Sequence, residues 1–195
     1  MTGDASAPSD EALAVRAQQG DRRAFDVLVT RHKSVLYRMV RRYVGDADEA
    51  YDILQDALIS VWETLQRYDA KRPFLAWTRV IALNKCRDFS RRRRFRRLIL
   101  AAFAAEPAAA TTPGLSERDD AEALAARDDV RLQRLAEAIA ALPPSYKEPL
   151  VLTTAGGLTQ EATAALLKTT TKAIEMRLRR ARCKLIEALN PPREW

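Results

Sequence analysis

The stretch GLTQEATAALLKTTTKAIEMRLRRAR, residues 157–182, holds two helical patterns separated by a short polar turn. Thr159 stands where a hydroxyl can cap a helix of Gln160–Leu167, and Lys168-Thr169-Thr170 forms the turn. The second pattern runs from about Thr171 to Leu189, with Ile174, Leu178, Ala181, Leu185 and Leu189 along one side. The opposite side carries Lys172, Glu175, Met176, Arg179, Arg180 and Cys183, flanked by Arg177 and Arg182. A short helix, a tight turn and a longer helix with one apolar and one basic face fit an element that lies in the DNA major groove. Arginine suits that position because its fork can bond guanine edges in pairs, while lysine and threonine hydroxyls hold phosphate. Taken alone, the pattern also fits a helical hairpin with a solvated basic face.

Upstream, helix punctuation continues and strand signals are nearly absent. Ser9 followed by Asp10 and Glu11 marks an N-cap with an acidic first turn, and Gly20 ends that short helix. Phe25, Leu28, His32, Val35, Leu36, Met39, Val40 and Tyr43 recur at three- and four-residue spacing and form one apolar stripe, stopped by Gly45. Asp46 restarts a helix whose stripe is Ala50, Ile53, Leu54, Ala57, Leu58, Val61, Trp62 and Leu65. Pro73 opens a third long helix through Phe74, Trp77, Ile81, Asn84, Lys85, Asp88 and Arg91–Arg94. Three long helices with short connections predict an all-α bundle. Residues 105–118, AEPAAATTPGLSER, read as a flexible linker, and the apolar Leu98–Phe103 ahead of it is expected to pack on a domain or a partner. Pro143-Pro144 breaks the helical signal that resumes near Asp119, and Pro191-Pro192 closes the chain. The expected fold is all-α: two small helical domains, an N-terminal bundle and a C-terminal helix-turn-helix, joined by a flexible linker.

The chain has 195 residues and a formal charge of +7. Residues 22–97 hold 19 basic and 9 acidic side chains, whereas residues 98–134 hold 4 and 7. A basic block of this kind points to a polyanionic partner, most often nucleic acid. No apolar run approaches the ~20 residues needed to cross a bilayer, so no stable membrane insertion is expected. The N-terminus lacks a basic-then-apolar signal, which predicts a cytoplasmic protein. Cys86 and Cys183 lie far apart and His32 is the one histidine, so neither a disulfide framework nor a structural metal site is expected, and no cofactor.

Two surfaces of the N-terminal bundle stand out. Asp48, Asp52, Gln55 and Asp56 share one helix face. Asp46 and Glu49 suit capping and the helix dipole, but Asp52 and Asp56 lie beyond the first turn. An acidic stripe in a basic domain reads as a docking surface for a positively charged protein. A rival chemical reading, a carboxylate cluster holding Mg²⁺ for a nuclease, needs ligands converging from several elements, and none is suggested nearby. The third helix presents Arg79, Lys85, Arg87 and Arg91–Arg94 among Trp77, Asn84 and Phe89, after a loop holding Tyr68 and Phe74. Basic side chains attract phosphate, and aromatic faces or an asparagine amide can receive unstacked bases. Core packing is the expectation for Trp62 and Trp77. Six arginines in the seven positions 91–97 would repel one another without an anion, which favours phosphate binding.

Three stretches, in order, resemble the extracytoplasmic-function (ECF) sigma factors of the sigma-70 family. Tyr51-Asp52-Ile53-Leu54-Gln55-Asp56 is similar to their A-E-D-L-V-Q-E helix. The stretch from Phe74 to Asn84, with Trp77, Ile81 and Ala82, then Asp88 and Arg91-Arg92-Arg93, resembles F-x-x-W-L-x-x-I-A-x-N…D…R-R-R. Leu142-Pro143-Pro144-Ser145-Tyr146, Gly157-Leu158-Thr159-Gln160-Glu161 and Arg177-Leu178-Arg179-Arg180-Ala181-Arg182 resemble L-P-P-x-Y…G-L-S-x-E…R-L-x-R-A-R. The resemblance implies a bacterial initiation subunit whose partners are core RNA polymerase, through its β′ and β subunits, promoter DNA and an anti-sigma factor. It implies an N-terminal extension at 1–21, sigma region 2 at 22–97, a linker at 98–134 and sigma region 4 at 135–195. In the family the acidic helix docks on the β′ clamp helices, a role that falls to Asp52, Gln55 and Asp56. Contact with the unwound −10 element falls to Tyr68, Phe74, Asn84, Lys85, Arg87, Asp88 and Arg91, with Asn84 foremost for a base. Reading of the −35 duplex falls to Lys172, Glu175, Met176, Arg179 and Arg180. RNA synthesis would belong to the polymerase, so no catalytic residue and no enzyme activity are expected.

The chain departs from the family pattern in places. Ala50-Tyr51 replaces the usual Ala-Glu, Lys168 stands where the turn often has Gly, and Thr163 stands where Ile is usual. Glu175 and Met176 replace the common Lys or Arg and Ser on the reading face; glutamate can accept from cytosine but repels phosphate. The alternative reading is a homodimeric helix-turn-helix regulator without a polymerase partner, against which the acidic stripe and the tether speak.

Overall fold

The computed structural model describes residues 8–103 and 120–190, all helix and turn. The linker expected at 105–118 and the closing Pro191-Pro192 lie outside the described residues. The first domain contains α1 (Asp10–Gln18), α2 (Arg22–Val44), α3 (Ala47–Thr64), a 3₁₀ turn at Leu65–Arg67, and α4 (Phe74–Phe103). After the linker come α5 (Asp120–Ala141), α6 (Pro144–Thr154), α7 (Gln160–Leu166) and α8 (Thr171–Leu189).

The helix starts follow local chemistry. Ser9, Asp21, Asp46, Thr159 and Thr170 each accept a hydrogen bond from the backbone N–H three residues on, in the first turn of the helix they cap. Gly45 closes α2 in the left-handed region at φ 93°, which permits the sharp entry into α3. Asp10 accepts from His32 Nε2 at 2.6 Å and from Arg31 at 2.9 Å, which fastens α1 across α2.

Two apolar clusters hold the molecule. The smaller joins α1, the start of α2 and the end of α3 through Leu13, Leu28, Val61 and Leu65, with Tyr68 and Phe74 completing it. The larger crosses the domain division. Leu36, Met39, Val40 and Tyr43 of α2 belong to one buried cluster with Ile139, Leu142, Leu150, Val151 and Leu152 of the C-terminal domain. Truncating a large member of such a cluster costs about 2–5 kcal/mol. The two domains expected on a tether therefore share a core, which hydrophobic patterning within each helix does not reveal.

Two packing expectations change. Trp62 is 38% exposed and lies against Phe25, with ring centroids 4.9 Å apart, because α3 turns that edge away from the cluster centre. Leu98, Ile99 and Leu100 are 63%, 39% and 68% exposed on α4, which runs on to Phe103, so these three side chains do not pack into a core among the described residues.

Candidate nucleic-acid interface

The acidic face of α3 is open. Asp52, Gln55 and Asp56 are all exposed, and Asp46 at the helix start is consumed in capping Asp48 and Glu49. Tyr51 stands exposed beside them under the Lys33 ammonium, 5.5 Å from its ring centre. Ile59 continues the same face and is 55% exposed. Its spacing from Asp52, Gln55 and Asp56 is helical, a signal that could have placed it on this surface. The result is a strip of carboxylates ending in an apolar step, suited to a basic helical partner.

The basic face of α4 is differently employed. Asn84 and Arg91 are exposed, and Lys85, Arg87 and Asp88 are half-buried. Arg91 pairs with Asp88 one turn back. Arg87 sends Nε and Nη2 to the two oxygens of Glu148 on α6, at 2.8 and 2.6 Å, and Nη1 to the Asn84 side-chain oxygen at 3.1 Å. The Glu148 carboxylate holds the Arg87 guanidinium above its ordinary pKa. Higher up the helix, the buried Arg79 donates to the Gly156 carbonyl in the α6–α7 turn, while its Nε has no partner among the described residues. Arg92, Arg94, Arg96 and Arg97 remain exposed, and Arg93 approaches Glu49 at 3.6 Å.

Tyr68 and Phe74 are not brought to this surface. They are only 5% and 3% exposed, edge-to-face at 5.4 Å, with Trp77 completing an aromatic cluster. The Tyr68 hydroxyl donates to the Arg72 carbonyl, which closes the loop before α4, and burial pushes its pKa up to about 12. These rings hold the loop in shape rather than offering a face to a base.

The C-terminal motif stands free. Lys172, Glu175, Met176, Arg179 and Arg180 of α8 are all exposed, while Ile174, Leu178 and Ala181 are buried against α6 and α7. Lys168 makes the turn at φ 53°, the left-handed conformation for which glycine is the easy choice. Thr163 is fully buried and its hydroxyl lacks a partner, at the position where an aliphatic side chain would fit. Glu148 was missed by the sequence reading, and Arg79 was read as part of the open basic face, because the partner of each lies in the other domain.

The family model "Sigma-70 region 2" matches residues 28–96 and "Sigma-70, region 4" matches residues 132–185. The RNA polymerase sigma factor CnrH of Cupriavidus metallidurans is 35% identical over 192 residues, covering 95% of this chain and 97% of CnrH. NccH of Alcaligenes xylosoxydans xylosoxydans is 36% identical, covering 92% and 94%. The solved structure of CnrH in complex with the cytosolic domain of CnrY superposes with a TM-score of 0.65 at 31% identity, covering 93% and 97% of the two chains. With region 2 and region 4 matched in that order along the chain and relatives of 35% and 36% identity over nearly its whole length, the chain belongs to the ECF group of the sigma-70 family of RNA polymerase sigma factors.

Proposed function

We propose that three helices of this sigma factor divide promoter recognition among them. Asp52, Gln55 and Asp56 of α3 dock on the clamp helices of the polymerase β′ subunit. Asn84, Lys85, Arg87, Asp88 and Arg91 of α4 hold the unwound −10 strand, with Asn84 reading a base and the arginines taking phosphate. Tyr68 and Phe74 serve that face indirectly, by fixing the loop that leads into α4. Lys172, Glu175, Met176, Arg179 and Arg180 of α8 read the −35 duplex in the major groove. RNA synthesis is the work of the polymerase, this chain catalyses no step, and it acts in the cytoplasm where the polymerase is. Control by an anti-sigma factor, implied by the family resemblance, is supported by the solved complex of CnrH with the cytosolic domain of CnrY.

The observation that carries this reading is the separation of surfaces: acid on α3, base on α4, and a bare reading face on α8. Run-off transcription with bacterial core polymerase on fragmented genomic DNA, with sequencing of the transcripts, tests it. New starts sharing two spaced upstream motifs are expected. No new starts, with no co-elution of the protein and core enzyme, would favour the dimeric regulator instead.

A further inference from the structure

We propose that Glu175 and Met176 set the base preference of α8: Glu175 accepts from the amino group of a cytosine, and Met176 packs on the methyl of a thymine in a neighbouring base pair. The inference rests on the reading of α8 as the −35 helix and names the bases that helix selects. Lys172, Glu175, Met176 and Arg179 follow at steps of three, one and three residues, so they share one face. Ile174, Leu178 and Ala181 are buried behind them against α6 and α7, which fixes the roll of the helix and keeps that face outward.

Glu175 has no task inside the protein. The start of α8 is already capped, with the Thr170 hydroxyl accepting from the Ala173 N–H at 3.2 Å. Glu175 lies beyond that first turn, where the helix dipole gives a carboxylate little. Arg179 stands one turn on, yet among the described residues Glu175 has neither a hydrogen bond nor an ion pair. An unpaired carboxylate that approaches a polyanion is repelled by every phosphate it nears. Its favourable place is a base edge that donates to it. Lys172 and Arg179, on either side, supply the phosphate attraction that carries it into the groove.

The major-groove edges then narrow the choice. Guanine offers two acceptors, and thymine an acceptor and a methyl, so neither donates to a carboxylate. Adenine donates from N6 but sets the N7 acceptor beside it, whereas cytosine donates from N4 with no acceptor of its own in the groove. Cytosine is therefore the base that Glu175 fits. Met176 is 43% exposed and offers a flexible apolar thioether to the same groove. The C5-methyl of thymine is the apolar group that the groove presents to it. A basic side chain at position 175 would favour guanine instead, so the sign of this one charge decides which base is taken.

The test uses the full chain assembled with bacterial core polymerase. The probe is a pool of promoter duplexes that keep the −10 element found by run-off transcription and carry random base pairs in place of the upstream motif. Bound duplexes are sequenced, and the wild-type protein is expected to enrich a motif holding a cytosine and a thymine. Glu175→Gln should move the preference at the cytosine to adenine, because an amide can donate to N7 and accept from N6. Glu175→Ala should lower the discrimination at that position about tenfold. Deoxyuridine in place of the thymine removes only the methyl, and should weaken binding of the wild-type protein about threefold to fivefold and that of Met176→Ala not at all. An enriched motif that is identical in the wild type, Glu175→Gln and Glu175→Ala would overturn the cytosine assignment, and deoxyuridine without effect would overturn the thymine one. In both cases loss of enrichment in Lys172→Ala and Arg179→Ala would still mark α8 as the −35 helix. If those two variants also leave the motif and its affinity unchanged, the reading of α8 itself falls.

Discussion

Two basic helix faces in this protein meet opposite fates. On α4, Arg79 donates to the Gly156 carbonyl and Arg87 is paired with Glu148, both within the chain. On α8, Arg179 and Arg180 point to solvent. Both faces have the composition expected of a nucleic-acid surface, yet on α4 two of the arginines already have partners in the other domain. Local charge identifies what a helix can bind, and the tertiary arrangement decides whether an internal group already occupies it. The open acidic face of α3 makes the same point from the other side, because acid that has no internal partner is free to meet an external one.

The sharpest way to break this comparison is to reverse the open acidic face. Asp52→Lys combined with Asp56→Lys should weaken association with core polymerase about a hundredfold or more, an effect in the range of interfacial charge reversal. Binding of a −35 duplex by the same protein should be preserved, and fluorescence titration of both ligands checks it. Equal loss of both activities in a folded protein would end the division of labour. Next in size, Arg179→Ala should cost about 1–3 kcal/mol of duplex recognition if the side chain reads a base, and less if it meets only phosphate. Because that residue is already exposed, its effect should be the same with or without polymerase.

Two smaller effects sharpen the contrast between the helix-turn-helix and the domain interface. Thr163→Val removes a buried hydroxyl that has no partner and should stabilise the protein by about 1–2 kcal/mol in urea unfolding. The change lies beneath the reading helix and should leave the salt dependence of duplex binding intact. At the interface, burial lowers the Lys147 pKa to about 8, against 10.5 ordinarily. Cys86 and Arg87 of α4, Arg93 beyond them, Tyr43 of α2 and the adjacent Glu148 are the charged or titratable groups around it. Between these two values the unfolded chain binds more protons than the folded one, so stability rises with pH from about 8 upward. Burial pushes the Cys86 thiol up to about 12 from 9, which opposes that rise once pH passes 9. The expected signature is a small gain in midpoint between pH 8 and 9 that is missing in Lys147→Met.

Much of the fold was legible because its signals are local. Ser9, Asp46 and Thr159 announce helix starts, Gly45 announces a stop, and the α2 stripe is apolar at the spacing of one helix face. The exposed positions of Asp52, Gln55 and Asp56, and of the five reading residues on α8, follow from the same periodicity. Tyr68 and Phe74 were harder, because an aromatic residue in a loop can serve a core or a base equally well. Only the position of the loop against α1 and α4 sends both rings inward. Leu98–Leu100 shows the converse, since apolar composition did not secure these three side chains a place in a core.

From the amino-acid order alone came the all-α class, most of the helix starts, the helix-turn-helix and the family to which the chain belongs. These depend on residues within a few turns of one another, or on motifs that recur in sequence. The shared core of the two domains, the Arg87–Glu148 pair and the Arg79 tie were decided only by tertiary structure. Their partners are 61 and 77 positions apart along the chain. No spacing rule connects them, and they meet only because packing of α2 against α5 and α6 brings the two domains into register.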